Sequence, residues 1–230
     1  MLVESNFEDY VFFDIETAPL APSLEEYTPE LKAAWYRTFW DNNEKNQARY
    51  STVEDCFWGE TSLRPEFSQV VCVCGMRLKD KKRSGKCWAV TEKCTEKELL
   101  LGFIGYCGSS FLAGKTIKRF DIPFLSKRMC INGIVPPRPL NTFNQKPWEV
   151  NHQDADDLWA FGSNTPSNLM TMCACLGIPS PKDDIDGSEV GKLFFSKEPD
   201  AIERIKTYCA KDVFATINVM RRICGLPLVV

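Results

Sequence analysis

Histidine is almost missing from this 230-residue chain, where His152 stands alone. Mechanisms that need two imidazoles, such as the H-E-x-x-H zinc site, are thereby excluded, and carboxylates are left to carry chemistry. Positive charge is short as well: 28 Lys and Arg against 31 Asp and Glu leave a net charge of −3. No global basic field invites a polyanion, so any nucleic-acid affinity has to be local or metal-mediated. Long apolar runs are lacking too. The longest uncharged stretch, Leu99 to Gly114, has 16 residues, four of them glycine and two serine. That is below the roughly 18 needed for a membrane span, and the acidic start from Met1 to Tyr10 does not read as a leader, so a cytoplasmic protein without a membrane partner is expected.

Cysteine is plentiful, at 11 residues, but the count is odd and no C-x-x-C spacing occurs. Reduced thiols of a cytosolic chain are therefore expected, with the pairs Cys72/Cys74 and Cys173/Cys175 read as buried small apolar residues rather than a structural zinc site. At 44% hydrophobic and 26% charged residues the composition is that of an ordinary globular domain. Disordered and collagen-like readings are out.

Short β-rich runs at Tyr10 to Asp14 and Val70 to Arg77 read as strands, and the charged segment KDKKRSG joins the second to another at Lys86 to Val90, a hairpin with an exposed tip from Lys79 to Lys86. Thr95 with Glu98 marks a helix start, and that helix runs to about Cys107. A fourth strand follows at Phe111 to Gly114, then a helix near Ile122 to Cys130, and a fifth strand begins at His152 to Asp154. Helices are expected at Ser167 to Leu176, Ser188 to Phe195 and Asp200 to Ile223, with Asp186 or Ser188 as an N-cap. The order implies an α/β domain with a mixed sheet. The stretch 18–69 interrupts it, carrying Trp35, Trp40 and Trp58. It is read as two helices, about Pro29 to Ala48 and Thr52 to Leu63, that either cap exposed core or offer an aromatic wall for base stacking.

Three acidic signals punctuate this frame. In Phe12-Phe13-Asp14-Ile15-Glu16-Thr17 an apolar strand ends in two acids whose spacing puts both on one face. Side by side without a cation they resist ionising together, and a divalent metal would compensate them. In Phe120-Asp121-Ile122-Pro123-Phe124 the aspartate sits where a helix N-cap belongs. Tyr208 and Asp212, i and i+4, share one face of the final helix. Each has a plain structural reading when taken alone.

In this order, the three motifs resemble the DEDDy 3′-5′ exonucleases of the RNase H-like superfamily. The closer likeness is to the free-standing bacterial exonucleases related to the proofreading domain of family-B DNA polymerases. The stretches Trp159 to Gly162, Leu176 to Val190 and Tyr208 to Thr216 are also similar to that subgroup. The resemblance implies one RNase H-like domain over 1–230: a mixed five-stranded sheet flanked by helices, with a helical insertion at 18–69 after the first strand. It also implies that Asp14, Glu16, Asp121 and Asp212 hold two Mg²⁺ or Mn²⁺ ions, and that Tyr208 orients the attacking water at the 3′ end of single-stranded DNA or RNA, releasing nucleoside 5′-monophosphates. No histidine lies near Asp212, which matches the tyrosine subtype rather than its histidine sister.

At the substrate end the resemblance points to Thr17, Lys115, Thr116 and Phe124. Here the sequence departs from the family, since Gly114-Lys115-Thr116-Ile117-Lys118 stands where G-H-N-I-K is usual. Lys115, Lys118, Arg119, Lys127 and Arg128 make the best local basic patch, and Asp154, Asp156 and Asp157 are candidates for the cleft rim. Gly114-Lys115-Thr116 mimics a P-loop ending, but Ser109 replaces the first glycine and the residues between read as strand, so an ATPase is not the expected function. A scaffold or nucleic-acid-binding protein with weak or no catalysis is the alternative function. Action in trans with replication or repair proteins is the expected setting of the enzyme.

Overall fold

The computed structural model describes residues 4–80, 82–163, 167–181 and 185–229. Five strands, β1 (Tyr10–Pro19), β2 (Ser68–Lys79), β3 (Lys82–Ala89), β4 (Phe111–Gly114) and β5 (Gln153–Asp154), form one sheet in the order β3-β2-β1-β4-β5. β1, β2 and β3 pair antiparallel, and β4 and β5 extend the sheet in parallel from β1. The expected mixed five-stranded α/β architecture is the one observed.

Alternation along β1 divides the core into two layers. Phe12 and Ala18 face one layer, with Cys72 and Cys74 of β2, and there they meet Ile205, Cys209, Val213 and Ile217 of the long helix. Val11, Phe13 and Ile15 face the other layer and pack with Leu99, Phe103, Ile122 and Leu125. Helices α4 (Glu96–Cys107) and α5 (Asp121–Ile131) therefore cover one face, and α9 (Ala201–Ile223) covers the other, with α8 (Val190–Phe195) beside it. Thr95 caps α4 in the expected capping box, accepting from the Glu98 N–H while the Glu98 side chain accepts from the Thr95 N–H.

Several expected boundaries move. β1 does not end at its two acids but runs on to Pro19, because β2 pairs with it to the end, Pro19 lying opposite Ser68. The charged KDKKRSG segment is strand over most of its length, with pairing continuing to Lys79 opposite Lys82. Between α6 (Ala155–Ala160) and α7 (Leu169–Leu176), the latter capped by Asn168, lie residues outside the description. Asp186 does not cap α8, which begins at Val190; its carboxylate accepts from the Ser188 N–H and hydroxyl instead.

The insertion has three helices where two are expected, α1 (Pro29–Phe39), α2 (Glu44–Arg49) and α3 (Val53–Glu60). The break falls at Asn42, whose φ is +56°, and Asn43 then caps α2 through its side chain. Trp35, fully buried, packs with Tyr27, Phe39, Phe57 and Phe67 in a core of the insertion's own. Its indole N–H donates to the Thr61 hydroxyl at 2.8 Å. This tryptophan serves packing, not base stacking.

Candidate active site

The carboxyls are brought together by an interruption in the sheet. β4 pairs with β1 only as far as Phe12 opposite Ala113, so beyond that point one edge of β1 is released. A freed backbone N–H inside a core needs a partner, and the Ile15 N–H donates to the Asp121 carboxyl. Asp121 is thus the first residue of α5 rather than its cap, and it is tied to β1 between Asp14 and Glu16. Gly114 makes the exit from β4, where a Cβ would lie 2.7 Å from the Phe13 carbonyl oxygen and 2.4 Å from an Ile117 methyl. A side chain does not fit there.

Asp14 and Glu16 share the α9 face of β1, and a bulge between Glu16 and Thr17 leaves Val71 as the extra residue on β2. From α9, Tyr208 hydrogen-bonds Asp212 one turn on, and the Cys209 thiol donates to the Asp14 carbonyl at 3.4 Å. Asp14, Asp121, Tyr208 and Asp212 line a cleft of about 440 Å³, and Glu16 sits just behind them, buried, with a carboxylate oxygen within 4.8 Å of a ligand atom on Asp14.

Electrostatically the cluster is under load. Burial, then the charges of Asp121 and Asp212, push the Asp14 carboxyl well above its ordinary range. Burial and then Asp14 do the same to Glu16. Asp121 is pushed up to about 8, chiefly by burial, against the bonds it accepts from its own and the Ile15 backbone N–H. Among the described residues no Lys, Arg or His lies within ion-pair distance of Asp14, Glu16 or Asp121. Lys115 lowers the pKa of the Asp121 carboxyl from beyond that distance, and closely gathered carboxylate oxygens are the donors that hard divalent ions take. Burial, then Asp212, Glu16 and Asp14, raise the Tyr208 phenol so that it keeps its proton and stays a donor.

The walls of the cleft include Leu63 of the insertion, Phe120, Lys115, Thr116 and Met170. Lys115 and Thr116 reach the cleft as expected, but both are held. The Lys115 ammonium lies 3.1 Å from an Asp156 oxygen, and the Thr116 hydroxyl donates to Asp156 at 2.6 Å. Asp154 is buried and accepts from the Thr116, Lys118 and Asp156 backbone N–H groups, so it shapes this turn from within rather than marking the rim. Thr116 itself adopts φ +64°, a left-handed conformation unfavourable to a β-branched residue.

Two substrate-side expectations are corrected. Phe124 is 2% exposed and belongs to the core, because the first turn of α5 turns it inward, and Phe120 lines the cleft in its place. Thr17 is turned away as well, its hydroxyl donating to the Ser62 carbonyl at 2.8 Å. The basic patch is neutralised: Lys115 pairs with Asp156, Lys118 and Arg119 with Asp157, Lys127 with Glu66, and buried Arg128 with Glu96. His152 is structural, accepting from the Leu112 N–H at Nδ1 and donating from Nε2 to the Pro139 carbonyl. Burial lowers its pKa and keeps it neutral. The expectation that all cysteines are reduced is corrected too, since Cys74 and Cys87, directly opposite on β2 and β3, form a disulfide.

A sheet of this topology, with carboxyls delivered to one cleft from its first strand and two helices, defines an exonuclease-like α/β domain. Residues 60–226 match the model of a family described as a predicted 3′-5′ exonuclease related to the exonuclease domain of PolB, and the chain belongs to that family. The match begins after β1, so Asp14 and Glu16 join Asp121 and Asp212 by geometry. Among solved structures, the family B DNA polymerase of the hyperthermophilic archaeon Pyrobaculum calidifontis shares the fold, with a TM-score of 0.57 and 17% identity over 92% of this chain. The chain spans 24% of that polymerase. No curated protein matches by sequence. Among the described residues, no helix is long and apolar enough to cross a membrane.

Proposed function

We propose that this single domain hydrolyses phosphodiester bonds at the 3′ end of single-stranded DNA or RNA and releases nucleoside 5′-monophosphates, acting in trans with replication or repair proteins. The observation that carries the reading is the convergence of Asp14, Asp121, Asp212 and Tyr208 on one cleft, with Glu16 behind them. Asp14, Glu16, Asp121 and Asp212 would hold two Mg²⁺ or Mn²⁺ ions, a donor set of carboxylate oxygens suited to hard cations. Bound there, such ions supply a water of lowered pKa and offset charge on the departing 3′ oxygen.

The chain's own residues do the rest. The protonated Tyr208 phenol, held by Asp212, orients the attacking water. Lys115 brings a positive charge to the cleft wall for a substrate phosphate, exchanging part of its pairing with Asp156. Leu63, Phe120 and Met170 offer apolar surface to the terminal nucleotide.

Digestion of 5′-labelled single strands with Mn²⁺, comparing the wild type with Asp14→Asn, tests the proposal. A ladder from the wild type and none from the variant is expected. A second reading, a nucleic-acid-binding protein without efficient catalysis, is favoured by the engagement of Lys115 and Thr116 with Asp156. It predicts strand binding with no ladder from the wild type on either DNA or RNA, which would defeat the exonuclease.

A further inference from the structure

Behind the carboxylates lies a second set of ligand atoms, made of sulfur. Cys72 and Cys74 project from the same face of β2 because they are two residues apart, and Cys209 meets them from α9. All three are fully buried, with their Sγ atoms within 4.8 Å of one another. Cys87, partly buried on the edge strand β3, adds a fourth sulfur through its bond to Cys74.

Buried cysteines commonly serve as small apolar residues. Three sulfurs from one strand and a helix converging on one spot, with a fourth bonded to one of them, go beyond that. Cys209 is moreover the shared corner of two ligand sets, since its Sγ also lies within 4.8 Å of ligand oxygens on Asp14 and Glu16. Oxygens select hard cations, whereas thiolates select soft ones.

We propose that Cys72, Cys74, Cys87 and Cys209 form a second metal site, specific for a thiophilic divalent cation of the Zn²⁺ or Cd²⁺ type, and that the Cys74–Cys87 disulfide closes it. In the oxidised protein two of the four sulfurs are bonded to each other, leaving Cys72 and Cys209 as thiols. Reduction opens the site. A trialkylphosphine and one water convert the disulfide to two thiols, the phosphine leaving as its oxide. The cation then binds as each ligating thiol gives up its proton. The site adjoins the carboxylates at Cys209, but its metal binding does not depend on the proposed hydrolysis.

Cadmium titration followed by thiolate-to-metal charge-transfer absorption tests the proposal. The protein carries Cys130→Ala and Cys175→Ala, which remove the exposed thiols. After phosphine reduction, about one equivalent of Cd²⁺ should bind with a charge-transfer band, and without reduction affinity should fall by more than about tenfold. Cys72→Ala and Cys209→Ala should each weaken binding by at least about tenfold, while Asp14→Asn, which alters only the oxygen set, should keep the band. Cys87→Ala, at the partly buried edge position, covers failure of the core variants to fold; it should bind Cd²⁺ without reductant through the remaining three sulfurs. Absence of the band from the reduced protein overturns the site, as does a band unchanged by Cys72→Ala and Cys209→Ala or an inert Cys87→Ala.

Discussion

Neutralising Asp121 should stabilise the metal-free protein at alkaline pH, although the residue belongs to the candidate active site. Its carboxyl is displaced from an ordinary 3.8 to about 8, mainly by burial, with Asp154 adding repulsion. Between those values the folded chain binds more protons than the unfolded one, so the contribution is fully present below pH about 4 and is lost as pH rises toward 8. At about 1.4 kcal/mol per pH unit the gap bounds the loss at about 6 kcal/mol, and relaxation with water entry should leave about 2 kcal/mol. Asp121→Asn keeps an oxygen to accept from the Ile15 N–H and removes the charge. Urea denaturation of both proteins with chelator, from pH 5 to 9, should show the wild type losing stability across the window and the variant less so, with the variant the more stable by about 2 kcal/mol near pH 8. Mn²⁺ should stabilise the wild type and do little for the variant. Parallel pH profiles, or a variant weaker than the wild type at pH 8, would refute the link between the burial of Asp121 and its charge.

Tyr208→Phe should slow 3′-5′ hydrolysis by about 10²-fold while Mn²⁺ affinity, followed by calorimetry, changes less than about threefold; a large loss of affinity would make Tyr208 a support for the metal instead. Arg128→Met strands the buried Glu96 carboxylate, which Arg128 engages through two nitrogens at 2.8 and 2.6 Å. A cost of about 3–5 kcal/mol in urea denaturation is expected, and a change under about 1 kcal/mol would contradict it. Thr116→Asn relieves a β-branched residue at φ +64° and should raise stability by about 0.5–1 kcal/mol, readable as a higher melting temperature. No rise would mean that the hydroxyl bond to Asp156 outweighs the strain.

The legible parts of the fold are those set by local periodicity or capping. Helix α4 was readable from Thr95 and Glu98, whose reciprocal capping bonds need nothing outside the turn. Asp14 and Glu16 share a face because strand geometry forces it. The end of β1 was not legible, since Ile15 to Pro19 stay in the strand only because β2 lies alongside. The side Phe124 takes is not legible in the sequence, because one turn of helix separates core from cleft and only packing against the layer of Leu125 and Ile122 decides it. The basic patch looked available in the sequence because its partners are distant, Asp156 and Asp157 from β5's following helix and Glu66 from the insertion.

By itself the sequence determined the acid motifs, the tyrosine in place of histidine, and an alternation of elements that allows a mixed sheet. These follow from residue type and spacing within a few positions, where chain connectivity already limits geometry. Tertiary structure alone decided that Asp121 reaches the Ile15 N–H released at the end of β4, that Asp156 restrains Lys115 and Thr116, and that the sulfurs of Cys72, Cys74 and Cys209 meet beside the carboxylates, with Cys87 bonded to Cys74. Each joins residues far apart in the chain, and their distance is set by how the sheet and α9 bury their apolar faces together.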